Sequence, residues 1–244
     1  MNELTRIDEF REVLRGYHLS KTTLLTLSQT KLVLIVGPTS SGRNTRIKRL
    51  LKTGDYHYVV SDTTRKPRIN DGIPEQNGQE YWFHTENEML TDLKEGKYLE
   101  AAIIHSQQVS GISVRELEKA RDEGRIAVTD AEITGATNAI KYKPDTIVIF
   151  LLPPSFDEWQ RRIKHRGQMS PEEFKRRMQS ACIEFETALN NDYYRFVIND
   201  TGDDSVMHIN QIAKLETFDL ELQVRARALA EQLLLATRSL VKSL

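Results

Sequence analysis

Three groups of residues have the types and the spacing to handle phosphate. The first is the turn Gly37-Pro38-Thr39-Ser40-Ser41-Gly42-Arg43-Asn44-Thr45. It ends the apolar run Leu32–Val36 and opens a basic stretch in which Arg46, Ile47, Leu50 and Leu51 recur at helical spacing. A strand, a glycine-rich turn and a helix bring backbone N–H groups and the positive end of a helix dipole to one place, which suits an anion. Gly37 and Gly42 have the spacing of G-x-x-x-x-G-K-[ST], but Arg43 stands at the lysine position. Asn44 stands where a magnesium-binding hydroxyl belongs, with Thr45 one place later. Any strand-to-helix turn favours Gly, Pro, Ser and Thr, so the stretch alone speaks for fold more than for activity.

The second group is Asp130, delivered by the apolar stretch Ile126–Thr129, with Glu132 in the same turn. A carboxylate at the C-terminal end of a strand beside a phosphate loop can hold magnesium and its waters. The competing reading is a helix N-cap aspartate. The third group is arginine. Arg65 and Arg68 flank Pro67 in a segment too irregular for a helix, and Arg162, Arg166 and Arg177 surround a polar turn at 165–171. Planar guanidinium forks grip phosphate bidentately. A mobile arginine-bearing flap beside a phosphate loop fits phosphoryl transfer, which spreads charge over equatorial oxygens and must exclude water.

These residues need a scaffold, and hydrophobic periodicity predicts one. Five apolar residues at 32–36 read as a strand buried on both faces, and Thr146–Leu151 reads as another buried strand. Further strands are expected at 56–60, 81–83, 98–104, 125–129 and 194–198. Helices are expected at 86–95, 113–123, 133–141, 156–162, 171–190 and 204–214. Ser170-Pro171-Glu172-Glu173 has the N-cap, first-turn proline and following glutamate of a helix start. Residues 69–79, with their Gly and Pro signals, read as loop. Strands alternating with helices predict an α/β fold with a doubly wound, mostly parallel sheet. The middle section, 62–112, breaks that alternation and reads as a small inserted α+β subdomain.

At the N-terminus, residues 1–30 read as one or two amphipathic helices, with Ile7, Phe10, Val13, Leu14 and Tyr17 on one face and Leu19, Leu24, Leu25 and Leu27 as a second cluster. Residues 215–244 read as one long amphipathic helix. Its stripe of Leu220, Val224, Leu229, Leu233, Leu234, Leu240 and Val241 is expected to dock on the N-terminal helices or on a second copy of the chain.

Bulk composition narrows the function classes. The chain has 244 residues, room for one large domain or one and a half, and 34 basic residues balance 35 acidic ones. A net charge of −1 gives no global pull toward nucleic acid or anionic membrane. One cysteine, Cys182, leaves no intramolecular disulfide and fits a reducing cytoplasm. Neither a secretory signal nor a membrane span is expected.

Read together, the motifs resemble those of the guanylate kinase family over about residues 31–214. VSDTTRKPR (60–68) is similar to the family's S-x-T-T-R-x-P-R, and Glu75 with Asn77–Phe83 to its G-E-x-x-G-x-x-Y-x-F, with about four residues inserted. GKYLEAA (96–102), VTDAEITGA (128–136), FLLPPS (150–155), RRIKHRG with Arg177, and VINDT (197–201) follow in the family's order.

The resemblance implies a P-loop NTPase-type fold with a monophosphate-binding subdomain at 62–112 and an arginine-bearing lid at 163–172. It also implies a Mg2+-dependent transfer from ATP to GMP. Gly37 to Thr45, Arg162 and Asn199 would bind ATP; Ser61, Arg65, Arg68, Tyr81, Glu100, Asp130 and Glu132 would bind GMP. Arg43, Arg166, Arg177 and Asp130 would be catalytic, with Asn44 or Thr45, and Asp130 through water, on the metal. A homodimer through the terminal helices would be compatible with this.

Departures stand beside the likeness. Besides Arg43 and Asn44, Ser40 replaces a loop glycine, and Glu132 an aspartate. HSQQVSGIS (105–113) replaces H-G-N-x-Y-G-T-S, so Val109 or Ser110 stands for a phosphate-holding tyrosine and Ile112 for a guanine-reading hydroxyl. They leave open a second class of protein, an inactive module that binds GMP or a phosphorylated peptide through Arg65, Arg68 and Tyr81.

Overall fold

The structure is a computed structural model and describes residues 4–70, 72–104, 106–165, 167, 169–200 and 203–244. The chain begins with α1 (Ile7–Arg15), α2 (Lys21–Gln29), β1 (Leu32–Val36), α3 (Arg43–Leu51), β2 (Tyr56–Tyr58) and β3 (Asp62–Thr63). There follow β4 (Ile69–Asn70), β5 (Ile73–Pro74), β6 (Trp82–Phe83), α4 (Glu86–Lys94), β7 (Tyr98–Ile104), β8 (Gln108–Ser113) and α5 (Val114–Asp122). Next come β9 (Ile126–Asp130), α6 (Ile133–Tyr142), β10 (Ile147–Leu152) and α7 (Phe156–His165). The chain closes with α8 (Pro171–Leu189), β11 (Tyr194–Ile198), α9 (Asp204–Leu215) and α10 (Leu220–Ser243). The chain divides into two compact units.

One unit comprises Met1–Leu32, Asp55–Thr129 and Thr137–Thr146. In it β2 and β9 pair in parallel, Tyr56 opposite Ile126. A separate sheet runs β6-β3-β8-β7, with β7 and β8 antiparallel. The polar segment expected as loop contains a small antiparallel ribbon, Ile69 opposite Pro74 and Asn70 opposite Ile73. Gly72 takes φ +80°, the left-handed backbone that tight hairpins favour. Strand β8 was not legible in sequence, because Gln108-Val109-Ser110-Gly111-Ile112-Ser113 is polar and contains glycine. Its pairing with β7 makes it a strand, and a side chain on Gly111 would meet the Glu100 carbonyl at 2.6 Å.

The N-terminal helices belong to this unit. Phe10 is fully buried with Met89, Leu90, Leu93, Tyr98 and Val109, and Ile7, Val13, Leu14 and Tyr17 pack against that cluster. Leu24 and Leu25 depart from the expected apolar face: both are exposed, and α2 buries Thr23, Thr26 and Leu27 instead. The reason is specific. Thr23 Oγ1 donates to the Gly96 carbonyl at 2.8 Å, so a threonine face is satisfied where a leucine face was expected.

The other unit comprises Val33–Gly54, Asp130–Ala136 and Ile147–Leu244. Its strands run β11-β10-β1, all parallel, with Val36 opposite Phe150 and Leu152 opposite Ile198. All five residues of β1 are buried, as are Val148 to Leu152. Phe150 forms the aromatic centre, its ring 5.6 Å from Phe185, 6.0 Å from Tyr194 and 5.7 Å from Phe196. Parallel strands joined through helices confirm the α/β class.

Helix α8 starts as its sequence predicts, with the Ser170 side chain accepting from the Glu173 N–H and Pro171 in the first turn. The C-terminal helix corrects another expectation. Its buried stripe is Ala226, Ala230, Leu233, Leu234 and Thr237, whereas Leu220 and Val224 are exposed. It lies along α8 and β11. Arg238 pairs with Glu186 and Gln223 bonds both backbone groups of Phe196. Small residues let two helices approach closely, so alanines form this seam and the larger residues at the start of α10 lie outside it.

Candidate active site

The phosphate loop lies in the second unit, between β1 and α3. Gly37 and Gly42 have φ +146° and +100°. A Cβ on Gly37 would meet the Leu151 carbonyl at 2.5 Å, and one on Gly42 would collide with the Asn199 Nδ2. Both glycines are therefore required by space as well as by backbone. Ser40 adopts φ +62°. The backbone of the replaced glycine is kept, at a cost of about 1–2 kcal/mol in local strain.

Distant residues hold the loop in shape. The buried Trp159 donates Nε1 to the Thr39 carbonyl at 2.7 Å. Arg177 Nη1 donates to Thr39 Oγ1 at 2.9 Å, and Asn199 Nδ2 donates to the Ser41 carbonyl. Arg162 Nη2 reaches the Asn199 carbonyl at 3.1 Å. Two of the predicted lid arginines thus converge on the loop. Arg166 falls outside the described residues.

Among the described residues no side chain caps the N-terminus of α3, and Ser40 Oγ and Ser41 Oγ are buried without a hydrogen-bond partner. Beside them opens a cavity of about 760 Å³. Ser40 to Arg46 line it, together with Asp130, Arg161, Arg162, His165 and Asn199. Among the described residues four arginines and a histidine line it with one carboxylate, so the cavity favours an anion. Its N-terminal helix end and unpaired hydroxyls supply further donors.

Asp130 closes β9 as expected, and the next residue ties it to β1 through Ala131 N–H to the Ile35 carbonyl at 3.2 Å. Arg43 does not stand alone in the cavity. Its Nη1 donates to the Ala131 carbonyl at 3.1 Å and lies 3.8 Å from Asp130 Oδ2.

Sequence reasoning missed Glu184 on α8, whose Oε2 is buried without a hydrogen-bond partner among the described residues. Burial, then the neighbouring Glu132 carboxylate, push its carboxyl up to about 7, against the pull of Arg43. It also missed Arg46, Arg161 and His165. The usable signal for Glu184 and Arg46 was a charged residue in the apolar phase of a helix: Glu184 sits among Ala181, Phe185 and Ala188, and Arg46 precedes Ile47 and Leu50.

The monophosphate signature lies in the first unit. Arg65 forms a bidentate pair with Glu75, at 2.5 and 3.0 Å, and its guanidinium stacks 4.6 Å from the Tyr81 ring centroid. The same Glu75 accepts from the Arg68 backbone N–H at 2.9 Å, while the Arg68 side chain is exposed. Ser61 offers its carbonyl to Trp82 N–H. Glu100, on β7, has no hydrogen-bond partner among the described residues, and burial pushes its carboxyl up to about 7. Across the ladder Glu100 faces Ile112, so the two side chains share a sheet face. Val109 is buried in the core, and Ser110 Oγ donates to Thr63 Oγ1.

Magnesium can be tested against these donors. Among the described residues no cluster of three or more His, Cys, Asp or Glu could cage a metal. What the cavity offers is one partly exposed carboxylate, Asp130, with the Asn44 amide and the Thr45 hydroxyl. That set fits Mg2+, which keeps several waters and is held by one or two protein oxygens plus phosphates.

A strained glycine-type loop at the head of a parallel strand, opening on a cationic cavity with one carboxylate, defines a mononucleotide-binding protein of the P-loop type. Comparison with known proteins sharpens that class. The profile described as Guanylate kinase matches residues 29–216. The guanylate kinase of Corynebacterium jeikeium is 32% identical over 190 residues, covering 77% of this chain and 98% of that protein. One from Clostridium perfringens is 34% identical over 186 residues, covering 76% and 83%. In fold, the crystal structure of guanylate kinase from Anaplasma phagocytophilum is similar, with TM-score 0.56 at 23% identity over 84% of this chain and 95% of that one. The chain belongs to the guanylate kinase family and is a phosphotransferase of the guanylate kinase type.

Proposed function

We propose that this chain catalyses ATP + GMP = ADP + GDP, with Mg2+ entering on ATP. The loop from Gly37 to Thr45 and Arg162 take the triphosphate, with Asn199 on the side of the base. Ser61, Arg65, Arg68 and Tyr81 hold the monophosphate. Glu100 and Glu132 accept from guanine N1–H and N2–H, adjacent donors that suit carboxylates. Asp130 serves the GMP side and, through water, the metal, which Asn44 or Thr45 would also touch. Bound magnesium supplies neutralisation of charge on the phosphate oxygens.

No protein nucleophile is required. A GMP phosphate oxygen forms the new bond to the γ-phosphorus while the bond from that phosphorus to the bridging oxygen breaks, and ADP leaves with the electron pair. Arg43, Arg166 and Arg177 meet the charge that spreads over the three equatorial oxygens. The single observation that carries this reading is the cationic cavity at the start of α3, uncapped and with Asp130 as its one carboxylate among the described residues.

A coupled assay of ADP release with each nucleoside monophosphate tests it: release that depends on GMP is expected. GMP binding with no release of ADP would replace the enzyme by the binding module. Among the described residues no helix is long and apolar enough to cross a membrane. The reading assigns the chain to the cytoplasm, acting on ATP and GMP and on neither nucleic acid nor membrane. A homodimer through the terminal helices would use residues such as Leu24, Leu25, Leu220 and Val224, all exposed, and sedimentation checks it.

A further inference from the structure

Arg46 is a cation in a place that disfavours one. It lies in the first turn of α3, where the helix dipole opposes positive charge, and only 5% of it is exposed. Its charged neighbours are Arg49, Arg162, Asp200 and Asp203. Arg49 is already paired with Asp203, and Arg162 with Glu158. Burial, then these two cations, lower the Arg46 pKa, which Asp200 and Asp203 offset only in part.

Its hydrogen bonding is far from complete. The guanidinium has five N–H groups. Among the described residues it makes one hydrogen bond, Nη2 to the Asp200 carbonyl at 2.9 Å, and Nε is buried with no acceptor. No carboxylate pairs with it among the described residues. Yet its side chain lines the same cavity as Arg43, Asn44 and Thr45. A buried charge with unmet donors is a cost to the folded chain unless a partner arrives.

We propose that Arg46 is a binding residue for the donor nucleotide, donating to phosphate oxygen at the end of the polyphosphate remote from Asp130, the α-phosphate. Two contacts set that end. Arg43 is drawn to Ala131 and Asp130, where the γ-phosphoryl must react, whereas Arg46 is drawn to Asp200 beside Asn199. The proposal rests on the assignment of this cavity to the donor.

The test is equilibrium binding of ATP, ADP, AMP and GMP to the wild type, Arg46→Leu and Arg46→Gln, with thermal unfolding of each ligand-free protein. In both variants ATP, ADP and AMP affinities should fall about 10–100-fold, the loss of hydrogen bonds to a charged group. GMP affinity should be unchanged, and Tm of Arg46→Leu should rise by about 2–4 °C as the unpaired charge is removed. Arg46→Lys, which keeps charge but lacks the fork, should lose less adenine-nucleotide affinity and stands in if the neutral variants do not fold. Unchanged ATP and ADP affinity with lowered Tm would make Arg46 a structural cation and overturn the proposal. A wild type that binds GMP but no adenine nucleotide would instead overturn the donor assignment beneath it.

Discussion

The two halves of the chemistry are built on different plans. In the monophosphate segment the spelling is close to that of the family, and its arginine is already neutralised. Arg65 is gripped by Glu75, ten residues away, and stacked on Tyr81. Around the phosphate loop the spelling departs at Ser40, Arg43 and Asn44. Two of the cations there, Arg43 and Arg46, are under-paired among the described residues, whereas Arg161 and Arg162 pair with Glu158. Among the described residues Arg43 has a carbonyl and one carboxylate at 3.8 Å, and Arg46 a single carbonyl. One segment carries its counter-charge in its own sequence. The other holds positive charge against burial and helix dipole, a tension that a polyanion relieves. A site can therefore drift in spelling while its electrostatic demand for phosphate persists, because that demand comes from backbone, helix end and several arginines together.

The largest test removes charge from the under-paired side. Arg43→Ala should lower kcat about 10²–10³-fold, the usual loss for one donor to a transition state, as read by ADP release. A change below threefold would show that the loop backbone and the lid arginines suffice, and that the arginine at this position is incidental.

On the paired side the expected loss is in binding. Arg65→Lys replaces a bidentate fork by a point charge and strands one Glu75 oxygen, so KM for GMP should rise about 10–100-fold with kcat less affected. An equal fall in kcat would mean that the Arg65–Glu75 pair acts in the transition state, and the contrast between the halves would fail.

A third test uses pH. The Glu100 carboxyl sits at about 7 in the ligand-free protein because it is buried. The proposed contact with guanine N–H groups requires the carboxylate, so GMP binding is expected to release a proton. Affinity is full above about pH 7 and falls as pH drops through that value, by about tenfold per unit. Glu100→Gln should flatten the profile below neutrality, measured by titration calorimetry in two buffers of different ionisation heat.

Arg43→Lys restores the usual loop residue, a compact charge without the guanidinium hydrogen bond to the Ala131 carbonyl. We expect kcat to rise up to about tenfold, with KM for GMP unmoved. The smallest effect on activity belongs to Tyr17→Phe. The Tyr17 hydroxyl donates to the Tyr98 carbonyl at 2.6 Å and accepts from its N–H at 2.7 Å. Its loss leaves two backbone groups of β7 without this partner and should destabilise the chain by about 1–3 kcal/mol, read as a lower Tm with kcat intact.

Much of this was legible before any coordinates. Strands at Leu32–Val36, Tyr98–Ile104 and Tyr194–Ile198 and the start of α8 follow from runs, caps and periods that act within a few residues. The loop glycines and the Arg65 segment were legible for the same reason. Strand β8 was not, since its identity is conferred by pairing with β7. The faces of α2 and α10 were misread because a threonine bonded to a carbonyl and an alanine seam look weakly apolar in sequence, and only the partner surface shows that they are the buried side.

Order along the chain thus determined the elements, the phosphate loop and the family's motifs, since each depends on neighbours a few residues apart. Tertiary structure alone decided which charges are in need. Arg43 and Ala131 are separated by 88 residues, Arg46 and Asp200 by 154, and Glu184 meets Glu132 and Arg43 only in the fold. Electrostatic energy depends on distance and burial, and neither is a property of position along a chain.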